Sequence, residues 1–150
     1  MGTRYTGTVA EVRALNAYLK LQRAAGSTSA RLNGLLAIAG VTESQFAVLD
    51  ALYHLGAMHQ CQLAEKLLRT GGNITLVVDN LEKRGLVERR REGRDRRFIT
   101  VHLTRAGRQL VQQVLPRHVA NIVAELRVLT PAEQDELARL CRKLGLQGQG

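Results

Sequence analysis

The strongest constraint on this chain is a segment near its middle, Thr70 to Gly107, where helical periodicity gives way to strand formers around an arginine-loaded turn. After Gly71-Gly72, the apolar residues Ile74, Val77, Val78 and Leu81 fall at i, i+3, i+4 and i+7, one buried stripe of a helix. The opposite face carries Asn73, Thr75, Leu76, Asp79, Asn80 and Lys83, and Gly85 ends the helix. Residues 86–91 and 97–103 then read as two strands joined around Glu92-Gly93-Arg94-Asp95. A helix with one apolar stripe cannot stand beside a bare two-stranded hairpin, so both need further helices to pack against.

Charge narrows the reading. From Lys83 to Arg108 the chain has ten basic side chains against three acids, which is +7 of its formal +9. The hairpin alone, Glu88 to Arg97, holds six arginines and three acids. Charged residues on an exposed strand also serve to blunt edge pairing. Such concentration beside a helix, with a sequence pI near 10.5, fits a polyanion partner such as a nucleic acid better.

The remaining segments supply the helices. Val9, Val12, Leu15 and Leu19, then Leu32, Leu35, Leu36 and Ala39, recur at helical spacing around Gly26-Ser27-Thr28-Ser29. They predict one long kinked helix or two shorter ones, with Gly40 as the terminating residue. Thr42 and Gln45 have capping-box spacing before a helix bearing Phe46, Leu49, Leu52 and Tyr53, which stops at Gly56. A short helix over residues 60–68 buries Leu63, Ala64 and Leu67. Thr104 caps a long helix whose seam is Val111, Leu115, Val119, Ile122 and Leu126, with Pro116 as a kink point. Thr130-Pro131-Ala132-Glu133 opens a last helix with Leu137, Leu140 and Leu144 on one face.

At 150 residues and 45% hydrophobic content this is one packed domain, mainly α with a small β-hairpin. No run approaches the roughly 20 apolar residues of a membrane span, and no secretory h-region is visible. Two cysteines, Cys61 and Cys141, make no disulfide framework and suit a reducing cytoplasm.

Helix, short turn, second helix and hairpin form the order of a winged helix-turn-helix. A recognition helix fits the major groove, while a basic hairpin reaches the narrower minor groove. On this mapping residues 60–68 support and residues 72–84 read. Asn73 is the candidate base contact, since an amide pairs bidentately with adenine, and Thr75 is placed for a thymine methyl or a phosphate. Thr70, Lys83, Arg84, Arg89, Arg90 and Arg91 are candidate phosphate binders that position without specifying.

The same residues carry a family resemblance. TESQFAVLDAL, QLAEKL, ITLVVDNLEKRGLVERR, an Asp-x-Arg wing and LTRAG before a long helix resemble the multiple-antibiotic-resistance regulator (MarR) family. The resemblance spans nearly the whole chain and is most specific from Asn73 to Gly107. It implies that Arg97 enters the minor groove with Asp95 orienting its guanidinium, and that Arg94 and Arg96 assist. Leu76 and Asn80 depart from the family pattern, which often has arginine at the first position and a basic residue at the second. The reading helix is left rather neutral.

The resemblance further implies a homodimer. Residues 1–40 and 105–150 would supply the dimerisation helices around a DNA-binding lobe at 41–104, seated on a pseudo-palindromic operator in double-stranded DNA. It implies a crevice for a small aromatic or amphipathic effector, for which Tyr18, Arg23, Leu36, Tyr53 and His54 are candidate lining residues. The expected function is a repressor released by that effector, with no membrane role. Two rivals stay open: a non-specific basic winged-helix module, and a redox-sensing regulator using Cys61. For the cysteines the expectation is packing, with Cys61 semi-buried beside Ala64 and Leu68, and Cys141 within the last helix's face. The four histidines show no metal-ligand spacing, and no nucleophile, phosphate loop or dinucleotide motif occurs, so neither metal, cofactor nor catalysis is expected.

Overall fold

The computed structural model describes residues 2–67, 71–94 and 97–147. Its elements run α1 (Val9–Ile38), α2 (Glu43–Leu55), β1 (Met58–His59), α3 (Gln60–Lys66), α4 (Gly71–Lys83), β2 (Val87–Arg91), β3 (Ile99–Leu103), α5 (Arg105–Leu126) and α6 (Pro131–Gly145). Thr70, Asp95 and Arg96, named above as candidate DNA contacts, lie outside the described residues, as does Leu68.

The first helix is continuous. Thr8 caps it, receiving the Glu11 amide at 3.2 Å while the Glu11 carboxylate accepts from the Thr8 amide at 2.7 Å. Of the two arrangements the spacing allows, one long helix holds: Gly26 lies inside it with open space around it, at a cost of only about 1 kcal/mol relative to alanine. The packing of Leu32 and Leu36 outweighs that cost. Helix α1 ends where Gly40 takes a φ of +78°, as the glycine signal predicts.

The Thr42–Gln45 capping box closes in both directions at 3.1 Å, which starts α2. Three of its apolar residues, Val48, Leu49 and Leu52, are essentially fully buried. They meet Leu63 from α3, Ile74, Val78 and Leu81 from α4, Val87 and Val101 from the strands, and Val111 and Val114 from α5. Leu36 of α1 joins the same core, so packing crosses the segment boundaries at residues 40 and 104.

The sheet has three antiparallel strands in the order β1-β3-β2. β2 and β3 pair from Val87 opposite Leu103 to Arg91 opposite Ile99. The third strand, β1, is an addition to the two read from sequence; two residues are too short to carry an alternation signal. It pairs Met58 with Val101 and His59 with Thr100, which anchors the wing to the start of α3. β3 begins at Ile99 rather than at residue 97.

Helix α5 enters against the strand that precedes it. The Thr104 hydroxyl accepts from the Gly107 amide at 3.1 Å and donates to the Gly85 carbonyl at 2.7 Å. Pro116 lies inside α5. Along the seam of this helix Val111 is buried in the core, Leu115, Ile122 and Leu126 are half-buried, and Val119 is exposed, as is its neighbour Val123. Arg31 of α1 donates its Nε to Glu125 of α5 at 2.6 Å. That hydrogen bond holds the Glu125 carboxyl below the usual carboxylate range. The tie is therefore fully present above the ordinary carboxylate pKa and lost as pH falls through the lowered one.

The cysteine expectation is corrected. Cys61 sits in the first turn of α3, ahead of the buried Leu63-Ala64 pair, and is exposed; Cys141 on α6 is exposed as well. Among the described residues, no single helix is long and apolar enough to cross a membrane.

Candidate nucleic-acid interface

The reading helix is held from beneath by its apolar stripe. Ile74, Val78 and Leu81 are buried, Val77 is half-buried, and Asn73, Thr75, Leu76, Asn80 and Lys83 are exposed. A helix so anchored presents the same polar face whatever its intrinsic helix propensity, because tertiary packing fixes its rotation.

The second anchor is Arg89. Alternation along β2 turns its side chain toward α4, where only 17% of it is exposed. Its guanidinium lies 2.6 Å from Asp79 and 3.2 Å from Glu82, both on α4. It also donates to the Gln60 side chain of α3 at 3.1 Å and to the Thr75 carbonyl at 3.3 Å. The Arg89 backbone amide donates to Glu82 at 2.8 Å. Gln60 completes the circuit by donating to the Thr75 hydroxyl at 2.9 Å. One arginine thus ties wing, supporting helix and reading helix together.

Of the other candidates, Arg90 pairs with Glu88 on its own strand. Arg84 is exposed and donates to Gln45 at the start of α2 at 3.3 Å. Arg91, Arg94 and Arg97 are exposed along the wing, whose tip turns at Gly93 with a φ of +85°. Glu92 reaches back to His102, Oε1 to Nε2, at 2.9 Å. Sequence reasoning missed Gln60, and it gave Asp79 and Glu82 no role. Their importance depends on how β2 registers against α4, a tertiary relation with no periodic signal.

The expected effector residues do not converge. Tyr18, with its hydroxyl accepting from Gln22 at 2.6 Å, and Arg23 are exposed on the N-terminal half of α1. Tyr53 stacks edge-on with His54 and lies under the Arg108 guanidinium at 5.3 Å. His54 itself contacts Asp50 at 3.0 Å. Only Leu36 borders the cleft of about 240 Å³ between α1 and α5, together with Leu35, Ile38, Leu110 and Val114. Its polar lining is Gln113, Arg117, His118 and Asn121. The His118 ring packs edge-on against Phe46, and its Nδ1 is buried with no hydrogen-bond partner among the described residues. Four of the five, Tyr18, Arg23, Tyr53 and His54, share an aromatic or basic character, which does not encode that they occupy different faces of two helices. Among the described residues, no three His, Cys, Asp or Glu side chains are grouped to hold a metal.

A supporting helix, a reading helix with a polar outer face and an arginine-rich hairpin beside it make this a winged-helix DNA-binding protein. Residues 41–99 match the MarR family. The HTH-type transcriptional regulator YkoM of Bacillus subtilis is 34% identical over 137 residues, covering 91% of this chain and 89% of the relative. Bordetella bronchiseptica BpsR, solved in a study of how 6-hydroxynicotinic acid regulates its DNA binding, is 27% identical with a TM-score of 0.78, covering 85% of this chain and 97% of that one. Sco3205, a MarR family regulator from Streptomyces coelicolor solved with DNA, superposes at a TM-score of 0.85 and 23% identity. That superposition spans 99% of this chain and 94% of Sco3205, a likeness of fold. The chain belongs to the MarR family of transcriptional regulators.

Proposed function

We propose that this regulator acts in the cytoplasm as a homodimeric repressor, seated on a pseudo-palindromic operator and released by a small amphipathic effector. It works by binding rather than by catalysis. The observation that carries the dimer is α6: a capped helix with Leu137, Leu140 and Leu144 on one face, of which no residue is buried within the chain. An apolar row of this kind needs a partner, and a second copy also covers the outward Val119 and Val123 of α5. In this division of labour residues 1–40 and 105–150 hold the dimer while residues 41–104 bind DNA. Two reading helices then fall about one helical turn apart, and the wings flank them. Arg97 enters the minor groove, with Arg91 and Arg94 on adjacent phosphates. A dimer lying across successive major grooves obstructs a promoter by occupancy alone.

The α1–α5 cleft supports the effector half of the reading. Its walls are mostly apolar, with Leu35, Leu36, Ile38, Leu110 and Val114, and Gln113, Arg117, His118 and Asn121 supply polar side chains for a ligand's polar group. It joins a helix that carries the outward dimer-facing residues to the core of the DNA-binding lobe, so filling it biases the spacing between the two lobes. A panel of simple phenols and aromatic carboxylates tests this, each titrated by calorimetry with and without operator duplex. A true effector binds more weakly to the operator complex, by the same factor by which it weakens operator binding. A ligand held in the cleft that leaves operator affinity unchanged contradicts release by that route.

A further inference from the structure

The outermost ridge of α4 runs Asn73, Leu76, Asn80 and Lys83, at i, i+3, i+7 and i+10, on the side away from buried Ile74, Val78 and Leu81. Leu76 stands at its centre and is 71% exposed. An isolated exposed leucine is ordinary on a protein surface and needs no explanation. This one occupies the middle of the face that the fold turns outward for reading. The flank toward the wing is occupied by other work: Gln60 donates to the Thr75 hydroxyl, and Asp79 is paired with Arg89. That bracing fixes the rotation of α4 and leaves Leu76 as the foremost apolar group.

The floor of the major groove offers one apolar group to such a side chain, the C5 methyl of thymine. A leucine over cytosine, guanine or adenine strips water from polar base edges and returns no hydrogen bond. We propose that Leu76 is a specificity-determining residue that reads a thymine methyl in each half-site, between bases contacted by Asn73 and Asn80. The carboxamides on either side suit adenine, so the half-site centre is rich in A·T pairs. This assignment rests on α4 being the helix that enters the major groove.

The test uses full-length protein and a duplex recovered by selection from a random library. Each thymine of that duplex is replaced in turn by deoxyuridine, which removes the methyl and keeps every hydrogen-bonding group. Wild-type protein and Leu76→Ala are titrated against the whole set, with dimer mass and melting temperature of the variant checked alongside. Burial of a methyl group predicts that one thymine per half-site, when replaced, weakens wild-type binding about threefold to tenfold. The same replacement leaves Leu76→Ala unaffected, because the variant has already lost the contact. If every deoxyuridine duplex affects the two proteins equally, the assignment is overturned while the DNA-reading role of α4 stands. If selection yields no preferred duplex, the reading role itself fails and takes the assignment with it.

Discussion

Arg89→Ala is expected to weaken operator binding by about 2–3 kcal/mol, the range for hydrogen-bonded charged groups, without changing how steeply binding falls with salt. Read from sequence, Arg89 is one of a run of phosphate binders. In the fold its guanidinium is turned inward to Asp79, Glu82, Gln60 and the Thr75 carbonyl. Its removal leaves two carboxylates unpaired on the reading helix, where they repel DNA, and frees α4 to rotate against the wing. Affinity drops, yet no phosphate contact is lost. Arg91→Ala provides the contrast: a smaller loss of affinity, with the slope of log K against log salt reduced by about one unit. Titrations at several salt concentrations separate the two. A slope that falls by a unit in Arg89→Ala would return this residue to the phosphate binders.

Gly107→Ala is expected to cost about 1–3 kcal/mol of stability, the range for overpacking a tight contact. A Cβ at this position meets the Leu86 carbonyl oxygen at 2.1 Å and a Leu103 side-chain carbon at 2.7 Å. The first of these is backbone at the entrance to the wing and cannot swing aside. Either α5 lifts from β2, breaking the Thr104 bonds to Gly85 and Leu86, or the wing moves relative to the reading helix. Urea denaturation measures the first effect, and operator affinity under conditions where the variant is folded measures the second. Wild-type stability and affinity together would show that this close approach is not required. Gly26→Ala is the internal control, since open space surrounds that position and the change favours the helix.

How much of this was legible beforehand follows from what kind of signal each feature leaves. The stripe on α4 and the Thr42, Thr104 and Thr130 caps are local patterns, and all appear where the spacing put them. For α1 the spacing left one long helix and two shorter ones both open, because one glycine is a weak breaker, and the packing of Leu32 and Leu36 accompanies the first. Cys61 was misplaced for a related reason: periodicity gives the side of a helix that is apolar, not how far its partner extends beneath the first turn. The Arg89 network joins three elements far apart in sequence, so composition registered only its charge. The expected effector residues had the right chemistry but no shared face, and only Leu36 reaches the cleft. Charge concentration identified the wing as a whole; which arginines point outward required the register of β2 against β3.

The central claim is that a dimer of this chain reads a defined pseudo-palindromic sequence with α4 and its wing. It is tested most directly by selecting duplexes from a random library with purified protein. Affinities for the recovered sequence and a scrambled duplex are then measured at two salt concentrations, with light scattering to count chains per duplex. The account predicts two chains on one duplex, half-sites about 10 bp apart, and a preference of at least about a thousandfold over the scrambled sequence that survives the higher salt. Equal affinity for both duplexes, lost together as salt rises, would contradict it and make the protein a non-specific basic module.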